Sequence, residues 1–330
     1  MSEKKKNLKL NLLKGIACSG VVFAHVPFPG VFGKIVDLAA AFAVPFFLMI
    51  AGYYSYGAGL AVIRRRLVKI IKIFAIAYAL FFLYDLAGPL ATHTEGAWFA
   101  EHFSWKTPIY YLCFCTIDFA TPLWYLIVMI EVYVLWLIIV KKGKEKAFLK
   151  FIPILFALQV LLTTYCETKG LAWSWKINFI TRGIPWFLLG YYLHTAEAEG
   201  LRKTKSGILW LSAMTGCAIA VIPSVFDLPV KFGIIGYIPY SLSLFVLCLK
   251  NPGKSMCRPM EYTGENLSLY IYILHLLVSR ALDSVMRRTG IDVKGEIYLW
   301  CRPVLVLFAT ITVSWIVYAV LKKKKQEVTA

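Results

Sequence analysis

The chain has 330 residues, 59% of them hydrophobic and only 16% charged, with a mean hydropathy of +0.68 and a formal net charge of +18. A soluble domain carries about one-quarter charged residues, which excludes an ordinary water-soluble fold and points to an all-α, polytopic integral membrane bundle. The positive charge does not indicate a nucleic-acid partner, because Lys and Arg stand in short clusters between apolar runs, as in cytoplasmic loops of membrane proteins.

A bilayer-spanning helix needs roughly 20 mostly apolar residues. Ten segments qualify as candidate transmembrane helices, and the first, 8–26, has a basic flank but no small-x-small cleavage site. It reads as a retained span rather than a signal peptide. Lys14 and His25 lie on it eleven residues apart. At 100° and 1.5 Å per residue they share one stripe, about 16 Å apart along the axis. Two readings stand. Lys14 snorkels and His25 caps the helix near Pro27, or one face carries a cation near the inner surface and a potential general base near the outer one.

The second segment is 33–56, and the third, 67–88, is entered through Arg64, Arg65, Arg66, Lys69 and Lys72. That basic stretch is either a positive-inside anchor or a phosphate site, for which arginine is well suited. A loop over 89–117 follows, in which 107–117 could form an interfacial helix. Segment 118–140 holds Glu131, and 147–165 is followed by 178–194, which holds Arg182. A carboxylate inside a membrane needs a partner or a proton, and Arg182 is the expected ion-pair partner of Glu131. Segments 206–223, 232–249, 265–286 and 298–321 complete the series, with His275 near the middle of the ninth. His275 reads either as a functional group or as a neutral histidine bonded to a tyrosine. There is no repeat and no low-complexity tract, and no appended catalytic domain is expected, so residues 1–330 are expected to form a single transmembrane domain.

With the N-terminus inside, the cytoplasmic segments hold 25 Lys and Arg residues and the outer segments 8. This split predicts ten spans with both termini cytoplasmic. Trp98, Trp105, Trp173 and Trp175 fall in the outer loops, as interfacial anchors would. The eight cysteines show no metal spacing, since Cys113 and Cys115 are too close for a zinc pair and no second pair follows. Cys18, Cys217, Cys248 and Cys301 read as small apolar residues. Neither a metal nor a disulfide is expected.

Several of these pieces resemble one family, the membrane acyltransferase-3 group that includes bacterial O-acetyltransferases of surface polysaccharides. The likeness begins with Asn11-Leu-Leu-Lys14-Gly-Ile-Ala and a histidine after ten intervening residues, His25. It continues through Val44-Pro-Phe-Phe-Leu-Met-Ile-Ala-Gly52 and the basic run, where Arg66 and Lys69 best match the family's Arg-x-x-Arg. Then come Leu123-Trp124-Tyr125-Leu126, Gly183-Ile-Pro-Trp-Phe-Leu-Leu-Gly190 and Ser268-Leu-Tyr-Ile-Tyr-Ile-Leu-His275, in the family's order. Asn11, Lys14, Ala51 and Lys69 stand where the family often has Asp, Arg, Ser and Arg.

The resemblance implies transfer of an acyl group, commonly acetyl from cytoplasmic acetyl-CoA, to a hydroxyl of a cell-surface or lipid-linked glycan, in the bacterial cytoplasmic membrane. It implies His25, Glu131 and His275 as catalytic residues, with His25 as general base. Lys14, Arg64, Arg65, Arg66 and Lys69 would bind the CoA phosphates, and Trp124, Arg182, Tyr270 and Tyr272 would support the site. Expected partners are acyl-CoA, the glycan and membrane lipids. The competing expectation is a transporter of an amino-acid-like small molecule, which sparse buried charges suit equally. Against it, no inverted halves with broken helices are visible.

Overall fold

The structure, a computed structural model, describes residues 6–176, 178–226, 228 and 233–329. Lys4, Lys5 and Lys231, counted above in the charge balance, lie outside the described residues. Among those residues there are helices and no strands. In chain order the α-helices are α1 Leu8–His25, α2 Gly30–Ala40, α3 Ala43–Tyr53, α4 Leu60–Ala91, α5 Glu95–His102, α6 Thr107–Phe114, α7 Trp124–Lys141 and α8 Glu145–Leu149. They continue as α9 Ile152–Thr168, α10 Ile184–Tyr192, α11 Glu199–Lys203, α12 Ser206–Val225, α13 Gly233–Leu249, α14 Arg258–Tyr262, α15 Ser268–Arg288 and α16 Glu296–Thr329.

Six helical stretches are long and apolar enough to cross a membrane: Gly30–Tyr53, Leu60–Ala91, Thr107–Lys141, Ser206–Val225, Arg258–Arg288 and Glu296–Lys324. Each of the ten expected segments contains helix, but four fall short of that standard by length or composition. Helices α9 and α13 have 17 residues each. Helix α1 carries Lys9, Asn11 and Lys14 in its first half, and α10 is only 9 residues long, preceded by a π-helical turn over Phe179–Gly183. The 107–117 segment does contain a short helix, α6, and α5 precedes it.

The chain packs as two compact units, one formed by residues 1–47 with 201–330 and the other by 48–200. In the first unit, α1 starts where Asn7 caps it: Asn7 Oδ1 accepts the Leu10 N–H at 2.9 Å, a stabilisation worth about 1 kcal/mol. The Leu8 N–H donates to the Pro252 carbonyl at 2.8 Å and fixes that end of the helix to the loop after α13. Cys18, Val22 and Val26 then pack into one buried cluster with Leu267, Ile271 and Val306. Helix α1 also crosses the π-helical turn Thr263–Leu267 at very short range. A Cβ added to Gly264 would collide with the Asn11 carbonyl, and one added to Gly15 with the Met260 carbonyl. Only hydrogen side chains allow that approach.

The second unit is organised on α7 and α10. Leu126, Val128, Met129, Val132 and Trp136 of α7 are buried, and the Trp136 ring meets Phe187 of α10 with centroids 5.1 Å apart. Gly183 lies directly against Val128 and Val132. Gly190 faces the Met49 backbone and Gly52 the Phe187 backbone, so the two motif glycines meet each other's helices.

Candidate active site

The first unit assembles its polar residues by facing two stripes. On α1, Lys14, Cys18, Val22 and His25 recur at i, i+4, i+8 and i+11, which keeps them on one side. On α15 and the turn before it, Leu267, Ile271 and His275 recur every four residues. Burial of the apolar members against each other brings the polar members at the same end together. The His25 and His275 rings stand with centroids 5.0 Å apart and planes inclined by 42°. His25 ends α1 and is exposed, whereas His275 is fully buried.

The backbone settles the tautomer of His275. Its Nδ1 lies 2.8 Å from the Tyr272 carbonyl oxygen and 3.1 Å from that of Ile271. Carbonyls only accept, so Nδ1 carries the hydrogen and Nε2 presents a lone pair. Nε2 is buried and has no hydrogen-bond partner among the described residues. An orphaned buried acceptor of this kind costs about 1–3 kcal/mol, and the neighbouring His25 ring is a donor of the right type. Tyr272 thus offers its backbone carbonyl to the His275 ring, and Tyr270 packs on Tyr318 at 6.2 Å. Lys14 is half-buried one stripe-length from His25.

The second unit holds the other expected residues. The basic run does not precede a helix; it forms the first turns of α4, which begins at Leu60. There it splits by face. Arg64, Arg65 and Lys69 are exposed, while Arg66 lies on the side of the buried Ile63 and Leu67. Arg66 Nη1 donates to Ser55 Oγ at 2.9 Å and Nη2 to the Tyr54 carbonyl at 2.8 Å. Two of its five N–H groups therefore pin the turn after α3. That turn also carries Tyr53 and Tyr56, which enclose the His194 ring at 4.3 and 4.8 Å. Sequence reasoning passed over this aromatic cluster. The run Tyr53-Tyr-Ser-Tyr56 closing an apolar helix was the signal for it.

Glu131 has a different partner from the expected one. Cys115, at the C-cap of α6 with φ +49°, directs its thiol to Glu131 Oε2 at 3.4 Å. Arg182 stands in the π turn 179–183, where Gly183 is the residue that faces α7. Trp124 is half-buried at the start of α7, with its ring 6.3 Å from Tyr125. No group of three or more metal-ligating side chains occurs among the described residues.

Residues 7–319 match the family model described as an acyltransferase domain. The chain belongs to the acyltransferase-3 family. No curated protein and no solved structure matches it. The family match covers the histidine pair, the α4 basic run and every motif quoted above. With the apolar helices, it makes the protein a multi-pass membrane acyltransferase. The transporter alternative gains no support from it.

Proposed function

We propose that this acyltransferase moves an acetyl group from cytoplasmic acetyl-CoA to a hydroxyl of a cell-surface or lipid-linked glycan. It works as one domain of ten spans in the bacterial cytoplasmic membrane, with both termini inside. The observation that carries the reading is the contact between exposed His25 and buried His275, whose Nδ1–H is tied to a carbonyl. A free imidazole nitrogen suits proton abstraction near neutral pH. His25 takes the acceptor's proton as its oxygen attacks the acetyl carbonyl carbon. The carbon–sulfur bond breaks, and the CoA thiolate leaves and takes up a proton. His275 Nε2 accepts a hydrogen bond from the second ring nitrogen of His25 and holds the resulting imidazolium.

The donor end of the reading rests on charge. Arg64, Arg65 and Lys69 project from one end of α4 into solvent, a disposition suited to the phosphates of CoA. Lys14 adds a cation at the end of α1 remote from His25. Ten spans and cytoplasmic ends are supported by the 25-to-8 distribution of Lys and Arg.

The test is acetyl transfer from radiolabelled acetyl-CoA in membranes holding matched amounts of wild type and His25→Ala. Loss of a general base lowers the rate by about 10²–10⁴-fold. Undiminished transfer by His25→Ala overturns the proposal.

A further inference from the structure

Beyond His275, helix α15 leads to an open cavity of about 510 Å³ whose lining includes Asp283, Arg287, Asp292, Lys294 and Arg302. Its floor is an ion pair that is internally neutral. Arg302 grips Asp283 through Nη2–Oδ2 at 2.7 Å and Nε–Oδ1 at 2.9 Å. Tyr298 donates its hydroxyl to the same carboxylate at 2.7 Å, and Arg302 Nη2 reaches Ser279 Oγ at 3.0 Å. Asp292 is also engaged: its Oδ1 accepts the backbone N–H of Lys294 at 2.9 Å, which closes the turn between α15 and α16.

What is left over is positive by one charge, because Asp292 keeps its carboxylate charge beside two further cations. Arg287 and Lys294 are exposed and, among the described residues, form no ion pair, and Arg288 follows directly. The cavity therefore offers a guanidinium and an ammonium beside the Asp292 carboxylate and above the paired Asp283–Arg302 floor, and its one net positive charge favours a phosphate-type anion. It also shares a helix face with His275. His275, Ser279 and Asp283 stand at i, i+4 and i+8 on one face of α15, with His275 at 0% and Ser279 at 2% exposure. Polar side chains in line inside a membrane helix are costly and mark a route for polar substrate. Asp283 is about 12 Å and Arg287 about 18 Å along the axis from His275.

We propose that this cavity binds a phosphate-type anion, so that an acceptor carrying a phosphate or pyrophosphate docks there while its hydroxyl reaches the histidine pair. The link to the acceptor rests on the acyl-transfer reading above; the anion site itself does not. A phospholipid headgroup offers the same chemistry, and the experiment separates the two sources.

The full chain is placed in phosphatidylcholine nanodiscs and titrated calorimetrically with inorganic pyrophosphate. Saturable binding is expected, weakened roughly tenfold by Arg287→Gln and again by Lys294→Gln. Lys205→Gln, on a different loop, leaves it unchanged, and gel filtration confirms that each variant is folded. Phosphatidylglycerol added to the discs leaves the binding intact if the site serves the acceptor, and competes it away if the site holds a lipid headgroup. Equal binding by wild type and the Arg287 and Lys294 variants, or no binding of either probe, overturns the proposal. His25→Ala retains pyrophosphate binding, so failure of the acyl-transfer reading and failure of the anion site are told apart.

Discussion

At the scale of single residues, the polar groups are held by neighbours that differ in how readable they are. Lys14 and His25 share a helix, so their common stripe follows from counting. Glu131 and Cys115 do not: a thiol and a carboxylate sixteen positions apart meet only because Cys115 ends α6 in a left-handed conformation. That thiol is the carboxylate's hydrogen-bond partner, and its loss leaves a half-buried acid unpaired. Cys115→Ala is therefore expected to lower stability by about 1–3 kcal/mol, whereas Cys115→Ser keeps a donor of similar reach and retains most of it. Thermal melts of the detergent-solubilised variants measure the difference. Equal loss in both variants would show that packing of the sulfur matters and the hydrogen bond does not.

At the scale of elements, the motif glycines are where helices touch. Gly15 and Gly264 bring α1 onto the π-helical turn before α15, and Gly52 and Gly190 do the same for α3 and α10. These contacts explain why the family-like stretches contain glycine next to their chemistry-bearing residues: Gly15 follows Lys14, and the crossing at Gly264 sets the register in which His25 meets His275. A methyl group at 264 forces α1 away from that turn. Gly264→Ala is expected to cost about 1–3 kcal/mol as overpacking and to lower acyl transfer with it. Gly207→Ala is the contrast, because a Cβ there meets nothing within 4 Å. In the first turn of α12 that change stabilises by about 0.5–1 kcal/mol. Melting temperatures from fluorescence-detected gel filtration would put the two on opposite sides of wild type; a stable, active Gly264→Ala removes the close crossing as the device that aligns the histidines.

At the scale of the whole molecule, topology is decided by where charge and cysteine fall. Cys113 and Cys257 are both free and exposed. The proposed ten-span arrangement would put Cys113 in an outer loop and Cys257 in a cytoplasmic one. A membrane-impermeant thiol reagent applied to intact cells should label Cys113, and Cys257 should react only after permeabilisation, as read by peptide mass spectrometry. Labelling of Cys257 in intact cells reverses the orientation, and with it the assignment of α4's cations to the donor.

Much of this was written in the chain. The excess of apolar residues dictated a helical membrane protein, because in lipid every backbone polar group must be satisfied within its own segment. The motif order announced the acyltransferase family, and periodicity put Lys14 and His25 on one face. The tertiary structure alone decided that His25 meets His275, that Cys115 rather than Arg182 answers Glu131, that Arg66 is tied to Ser55 and Tyr54, and that Asp283 and Arg302 floor a basic cavity. The reason is geometric. A 3.6-residue period tells which side chains share a face of one helix, but which two faces meet depends on close crossings and irregular turns that no single segment encodes.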